Sequence, residues 1–240
     1  MLRRGVWACG EILVTVGVVL LLLVVHQLWW TNRQAKGIAA RGVERLEEGW
    51  RTAGAGEPGV REPGVGADEG AGVAGVPRAG SGGISGTRAS PRHAYAILSI
   101  PRLGLRVPVA EGVGKEGVLD KGYVGHYPSS QQPGQAGNFA LAGHRNTHGE
   151  PFRYVDRLTR GDEIGVETAD AFYTYVVDKG LRETSPRDDG VVRPVPRSLV
   201  HPDAGYREPG YYLTLTTCTP EYSSAHRLIV WAKLSSMRPR

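Results

Sequence analysis

Two cysteines occur in the 240 residues, Cys9 and Cys218. Cys9 precedes a long apolar run and reads as a small apolar residue. Cys218 ends the run TLTTC, after the strand-like YYLTLTT and before the turn-like TPEYSSAH. It therefore stands at a strand end, where a rigid element can present a thiol to solvent. Position alone leaves catalysis and packing both open, because free cysteines are commonly inert. No disulfide can form within the chain beyond Cys9, since Cys218 has no partner there. A nucleophilic thiol also needs a proton-transfer partner and a group to hold the oxyanion that forms on the attacked carbonyl.

Of the seven histidines, His144 is placed most like Cys218: it ends NFALAG and opens the loop HRNTHGEP. A histidine there can reach from one strand mouth to another. His26 in the apolar run, His93 where the globular part begins and His201 in a Pro-rich loop read as packed or solvated. His148 lies four residues beyond His144, yet a His-x-x-x-His pair typically binds zinc from a helix with a third ligand. This segment is a loop, so no metal is expected. Arg227 follows Cys218 by nine residues at the start of the last apolar segment. With a tight return between them, both side chains can point into one mouth, and a guanidinium holds an oxyanion without changing its own charge.

The elements that must position these residues are short and rich in β-branched and aromatic side chains. They are AYAILSI (94–100), LRVPVA (105–110), NFALAG (138–143), EIGVET (163–168), AFYTYVV (171–177), YYLTLTT (211–217) and RLIVWAKL (227–234), each bounded by Gly, Pro, Asp or Asn. Short helical pieces fit only near 115–121 and 151–158. Residues 91–240 thus predict one mostly β domain, a closed or partly closed barrel.

Ahead of it, residues 11–30 (EILVTVGVVLLLLVVHQLWW) are apolar enough and nearly long enough to span a bilayer core of about 30 Å. Trp7, Trp29 and Trp30 suit the interfacial belts. A cleaved signal peptide is the competing reading, against which the length of the run and the absence of a small-x-small site count. Residues 1–10 then form a short N-terminal segment, cytoplasmic if the rest of the chain is exported. Basic residues on the two flanks are nearly balanced, so charge alone leaves the orientation open. Residues 31–48 carry Ala35, Ile38, Ala39, Val43 and Leu46 at helical spacing, expected as a juxtamembrane extension without a role of its own. Residues 49–90 are Gly/Pro-rich, a flexible linker. The net charge of +5 comes from Lys and Arg scattered among acids, which excludes a nucleic-acid recognition patch.

LAGHR (141–145), TLTTC (214–218) and RLIVWA from Arg227 resemble the His, Cys and Arg motifs of the sortase family. IPRLGLRVPVAEGVG, KGYVGHYP, PGQAGNFALAGHR and PFRYVDRLTRGD resemble further sortase segments, so the likeness covers residues 91–240. TTCTPEY and GHYP are most similar to class E sortases of actinobacteria. The resemblance implies an all-β, closed eight-stranded barrel behind one transmembrane helix, with the catalytic domain extracytoplasmic on the cell membrane. It implies a cysteine transpeptidase without a cofactor. Cys218 would attack the Thr–Gly carbonyl of an LAXTG- or LPXTG-like sorting signal on a secreted protein. His144 would protonate the leaving amine, Arg227 would hold the oxyanion, and a peptidoglycan-precursor amine would take the acyl group.

Tyr127, His126, Ala142, Thr216 and Thr217 are implied as substrate-binding positions. The segment 178–210 is implied as a mobile loop walling the groove. Its Asp188 and Asp189 lie among five arginines, which disfavours a calcium site. The tether lacks the Asp-Pro-aromatic lid motif of class C enzymes, and the chain stops soon after Leu234, so pilin polymerisation is the lesser alternative. A hydrolytic cysteine peptidase using the same residues, or a non-catalytic envelope-binding module on the same barrel, also stays open.

Overall fold

The computed structural model describes residues 2–55 and 94–240. Most of the expected linker, together with Pro91 and His93, lies outside the described residues.

Eight strands form a closed barrel: β1 (Ala94–Ile100), β2 (Leu105–Glu111), β3 (Val124–His126), β4 (Gly137–Ala142), β5 (Glu163–Glu167), β6 (Ala171–Thr184), β7 (Tyr211–Thr219) and β8 (His226–Pro239). Their order around the barrel is β1-β2-β3-β4-β7-β8-β6-β5, and β5 returns to β1. The β2–β3 and β4–β7 pairs are parallel and the others antiparallel. Closure gives each strand two partners and leaves no open edge. Short 3-10 turns at Leu119–Lys121 and Val155–Arg157 fall where helical pieces were expected, and two more form at Pro101–Leu103 and Asp189–Val192.

Side-chain alternation sorts the strand residues between two cores. Leu213 and Leu215 of β7 turn into the barrel with Leu98, Val109, Phe139 and Leu141. Tyr212, Thr214 and Thr216 alternate with them, yet they are buried as well. For Tyr212 and Thr214 the reason is that the segment after β6 folds over the outer face of β7 and β8. Val191 and Tyr206 pack there with Tyr212, Ile229 and Trp231, and Trp231 Nε1 donates to the Val191 carbonyl at 3.2 Å.

This segment, expected to be a mobile loop, carries several side-chain hydrogen bonds. The Asp188 carboxylate accepts from Thr184 Oγ1 at 2.6 Å, Ser198 Oγ at 2.5 Å and the Leu199 amide at 2.9 Å. Lys179 Nζ donates to the Gly205 carbonyl at 2.6 Å. Its polar composition hides these few anchors.

The N-terminal part is one helix, α1 (Leu2–Ala55), of 54 residues and about 80 Å at the usual rise. Within it, Gly10–Ala53 includes a stretch apolar enough to cross a membrane, by length and composition. The side chains from Ile12 to Val25 are exposed, so none of the described residues covers this apolar surface. Two expectations are corrected by its C-terminal half. Residues 49–55 continue the helix, so the linker starts later than position 49. Residues 31–48, expected to have no role, dock on the barrel.

The docking face is built from small residues. Ala35, Ala39 and Val43 are buried at helical spacing, and Ala39 packs with Ala110, Val118 and Tyr123. A side chain at Gly42 would stand 2.8 Å from the Tyr123 hydroxyl and 2.9 Å from Pro108 Cγ. Glycine there lets the helix approach the sheet. Arg106 bridges Glu47 at 2.8 Å and Glu167 at 3.3 Å. Asn32 donates to Glu150 Oε1 at 2.7 Å, and its Oδ1 accepts from the Gly149 amide at 3.2 Å. The helix therefore holds the loop that follows β4.

Candidate active site

Three neighbouring strands bring Cys218, His144 and Arg227 to one end of the barrel. The parallel β4–β7 register pairs Leu141 with Leu215 and Ala142 with Thr216. It is continued by the Gly143 amide donating to the Thr216 carbonyl at 3.1 Å and by Thr217 Oγ1 donating to the Gly143 carbonyl at 2.8 Å. His144 thus leaves β4 at the level at which Cys218 stands on β7. Across the other side, Cys218 is paired directly with Arg227 on antiparallel β8. Directly opposed residues project from the same face of a sheet. All three side chains are half-buried, so each keeps access to solvent.

Gly143 and Arg145, which flank His144, fix this geometry. A side chain at Gly143 would stand 2.7 Å from the Phe152 ring, and the Phe152 amide donates to the His144 carbonyl at 3.0 Å. Arg145 is only 7% exposed. It donates to the Cys218 carbonyl at 3.2 Å, to Thr219 Oγ1 at 3.0 Å and to Asp156 Oδ2 at 3.1 Å. This buried cation ties the residue after His144 to the backbone of the thiol. Sequence reading missed Arg145 as a site residue, although its place in LAGHR was the available signal.

It also missed Asp120, which has no local signal. Asp120 Oδ1 lies 2.8 Å from His144 Nε2. A carboxylate only accepts, so Nε2 carries the hydrogen and Nδ1 of the neutral ring keeps a lone pair. Nδ1 makes no hydrogen bond among the described residues, and none joins Cys218 Sγ to the imidazole. Arg227 uses one terminal nitrogen, NH1, to donate to the Ser224 and His226 carbonyls, both at 3.0 Å. Its Nε and other terminal nitrogen make no hydrogen bond among the described residues.

The five expected substrate-binding residues divide. Tyr127 is half-buried, and its hydroxyl lies 3.2 Å from Thr216 Oγ1. Thr216 spends its one proton on the Leu141 carbonyl at 3.1 Å, so Tyr127 is the donor of that pair. Ala142 is half-exposed. Thr216 and Thr217 are buried, with their hydroxyls engaged by the barrel. They support the walls of the candidate site.

His126 is corrected outright. It is 0% exposed and packs on Phe139 with ring centroids 4.9 Å apart. Its Nδ1 lies 2.8 Å from Glu111 Oε2 and 2.9 Å from the Tyr95 hydroxyl, and its Nε2 lies 3.1 Å from the Gln131 carbonyl. No ring nitrogen is left for a peptide. Burial, with the Glu111 charge adding, pushes the Tyr95 phenol far up, so it stays protonated inside this network.

The same end of the barrel holds a set of metal-ligating atoms. One from each of Asp120, His144 and His148 lie within 4.8 Å of one another. The third donor that His144 and His148 lacked in sequence is therefore present in space.

The sortase domain family model matches residues 98–235, which include all three candidate residues. Sortase SrtE1 of Streptomyces coelicolor is 42% identical over 238 residues, covering 97% of this chain and 58% of the relative. Sortase SrtE2 of the same organism is 33% identical over 239 residues, covering 96% of this chain and 82% of the relative. This chain therefore spans little more than half the length of SrtE1. Among solved structures, sortase E1 from Streptomyces coelicolor with a tripeptide in the active site is 48% identical with a TM-score of 0.59. That match covers 63% of this chain and 94% of the other.

Proposed function

This chain belongs to the sortase family, and on that premise we propose that it is a membrane-anchored cysteine transpeptidase acting on a sorting signal of LAXTG or LPXTG type. The observation that carries the reading is the convergence of Cys218, His144 and Arg227 from β7, β4 and β8 at one barrel end.

The Cys218 thiol first gives its proton to His144 Nδ1, and the resulting thiolate attacks the carbonyl between Thr and Gly of the signal. A C–S bond forms and the carbonyl electrons move onto oxygen. The Arg227 nitrogens left without partners hold that oxyanion. Collapse breaks the C–N bond, and His144 delivers the proton to the departing glycine amine from Nδ1, while Asp120 retains the hydrogen on Nε2. An amine of a cell-wall precursor then attacks the thioester and gives its proton to His144. A new amide forms and the thiolate is restored. Tyr127 and Ala142 line the peptide's path.

Residues 11–30 cross the membrane and the barrel faces the outside of the cell. Docking of α1 on the barrel sets the height of the site above the bilayer.

The test uses the full-length protein in detergent with an LAXTG peptide and a triglycine amine. Amine-dependent ligation that disappears in Cys218→Ala supports the proposal. Glycine-fragment release indifferent to the amine identifies a hydrolase instead, and an inert wild type with both LAXTG and LPXTG peptides refutes the substrate class.

A further inference from the structure

The geometry points to a zinc-class divalent transition-metal site formed by Asp120, His144 and His148, which switches off the proposed acyl-transfer centre by occupying His144 Nε2. Among the described residues this is the one group of three potential ligands whose donor atoms cluster this closely.

The donor set is two imidazoles and one carboxylate. Imidazole nitrogens favour zinc and its transition-metal neighbours, whereas calcium and magnesium favour oxygen alone. Donors about 2.0 to 2.2 Å from a tetrahedral zinc stand about 3.4 Å from one another. Asp120 Oδ1 is 2.8 Å from His144 Nε2 and 3.6 Å from His148 Nδ1, so the pairs bracket that spacing. Three protein ligands leave a fourth position for water.

His148 supplies an independent sign of a missing partner. Its Nδ1 is buried and makes no hydrogen bond, a costly condition for a ring nitrogen. The residue sits at φ 51°, uncommon for a side-chain-bearing residue, and its ring stacks on His144 with centroids 5.2 Å apart. The backbone thus holds His148 Nδ1 toward the carboxylate that His144 already uses. Asn32 of α1 braces the next two residues, Gly149 and Glu150.

A metal on Nε2 replaces the hydrogen now shared with Asp120. Nδ1 then carries the only ring proton, which it cannot add to and does not readily lose. The exchange of protons with the thiol and the amine stops. The inhibitory consequence rests on the reading of His144 as the acid–base residue, whereas metal binding itself does not.

Two arms of one experiment separate these. In full-length Cys218→Ala with Cys9→Ala, which removes both thiols as competing ligands, Zn²⁺ is titrated against a chromogenic chelator. The site requires saturable binding of one zinc per chain, weakened about tenfold or more in His148→Asn and in Asp120→Asn. Asparagine tolerates positive φ, so the first variant keeps the loop's backbone. Undiminished binding in both variants, or no saturable binding, overturns the site. In the second arm, wild-type ligation must fall with zinc occupancy and return on adding EDTA. Full activity at saturating zinc overturns the switch. The first arm decides the site even if the protein ligates no peptide.

Discussion

The carboxylate of Asp120 lies 2.8 Å from Nε2 of His144 although 24 residues separate them in the chain. This pair decides which ring nitrogen is free for chemistry, because an ionised carboxylate can only accept. Asp120 comes from a 3-10 turn, Leu119–Lys121, whose neighbours Val118 and Tyr123 pack with Ala39 of α1. Helix α1 and the imidazole are thereby linked through one short turn.

Removing that carboxylate is expected to act on turnover. Asp120→Ala should lower kcat of peptide ligation about tenfold to a hundredfold with KM little changed, since misorienting an acid–base group acts on the chemical steps. Ring ¹⁵N shifts of His144 should change from one tautomer to a mixture. An unaltered kcat would remove Asp120 from the positioning of His144.

Asn32 offers a second test, of the coupling between α1 and the loop after β4. Its Oδ1 accepts from the Gly149 amide and its amide donates to Glu150. In Asn32→Ala, hydrogen exchange at Gly149 should accelerate while exchange in β7 stays unchanged, because only the local bond is lost. Equal protection in both proteins would mean that the helix does not hold the loop.

Acid should loosen the segment over the outer face of β7 and β8. Burial pushes the Asp188 carboxyl up, but hydrogen bonds from Ser198, Thr184 and the Leu199 and Val200 amides outweigh it, and the group ends below the usual range. A depressed folded pKa stabilises the fold above the unfolded value of about 3.9 and loses that contribution as pH falls through the folded value. Asp178, shifted the same way, is buried in part and bonded by Lys233 and Tyr206. Unfolding free energy measured from pH 6 to pH 2.5 should decline below about pH 4 in the wild type. Asp188→Asn should be less stable at pH 6 and show a shallower decline.

The strands were readable because their apolar runs end at Gly, Pro, Asp or Asn, so β1 and β5 match their segments closely. The far ends of β6 and β8 were not, because KGLRET and SSMRP carry little apolar signal, yet they lie in paired strands. β3 has three residues, too few to show a period. Cys218, His144 and Arg227 could be singled out by residue type and strand-end position. His126 was grouped with Tyr127, although neighbours on an extended chain face opposite ways, and its ring turns inward. Asp120 and the docking of α1 depend on contacts distant in sequence. For α1 the helical period was visible, but its partner was not.

Intact-mass spectrometry of the full-length protein with an LAXTG peptide and no added amine reads acyl transfer to Cys218 itself. The expected result is a transient mass gain equal to the peptide fragment ending at Thr less one water, located on Cys218, discharged by triglycine and absent from Cys218→Ala. Peptide cleavage without an adduct on Cys218, or an adduct that persists in the alanine variant, would contradict it.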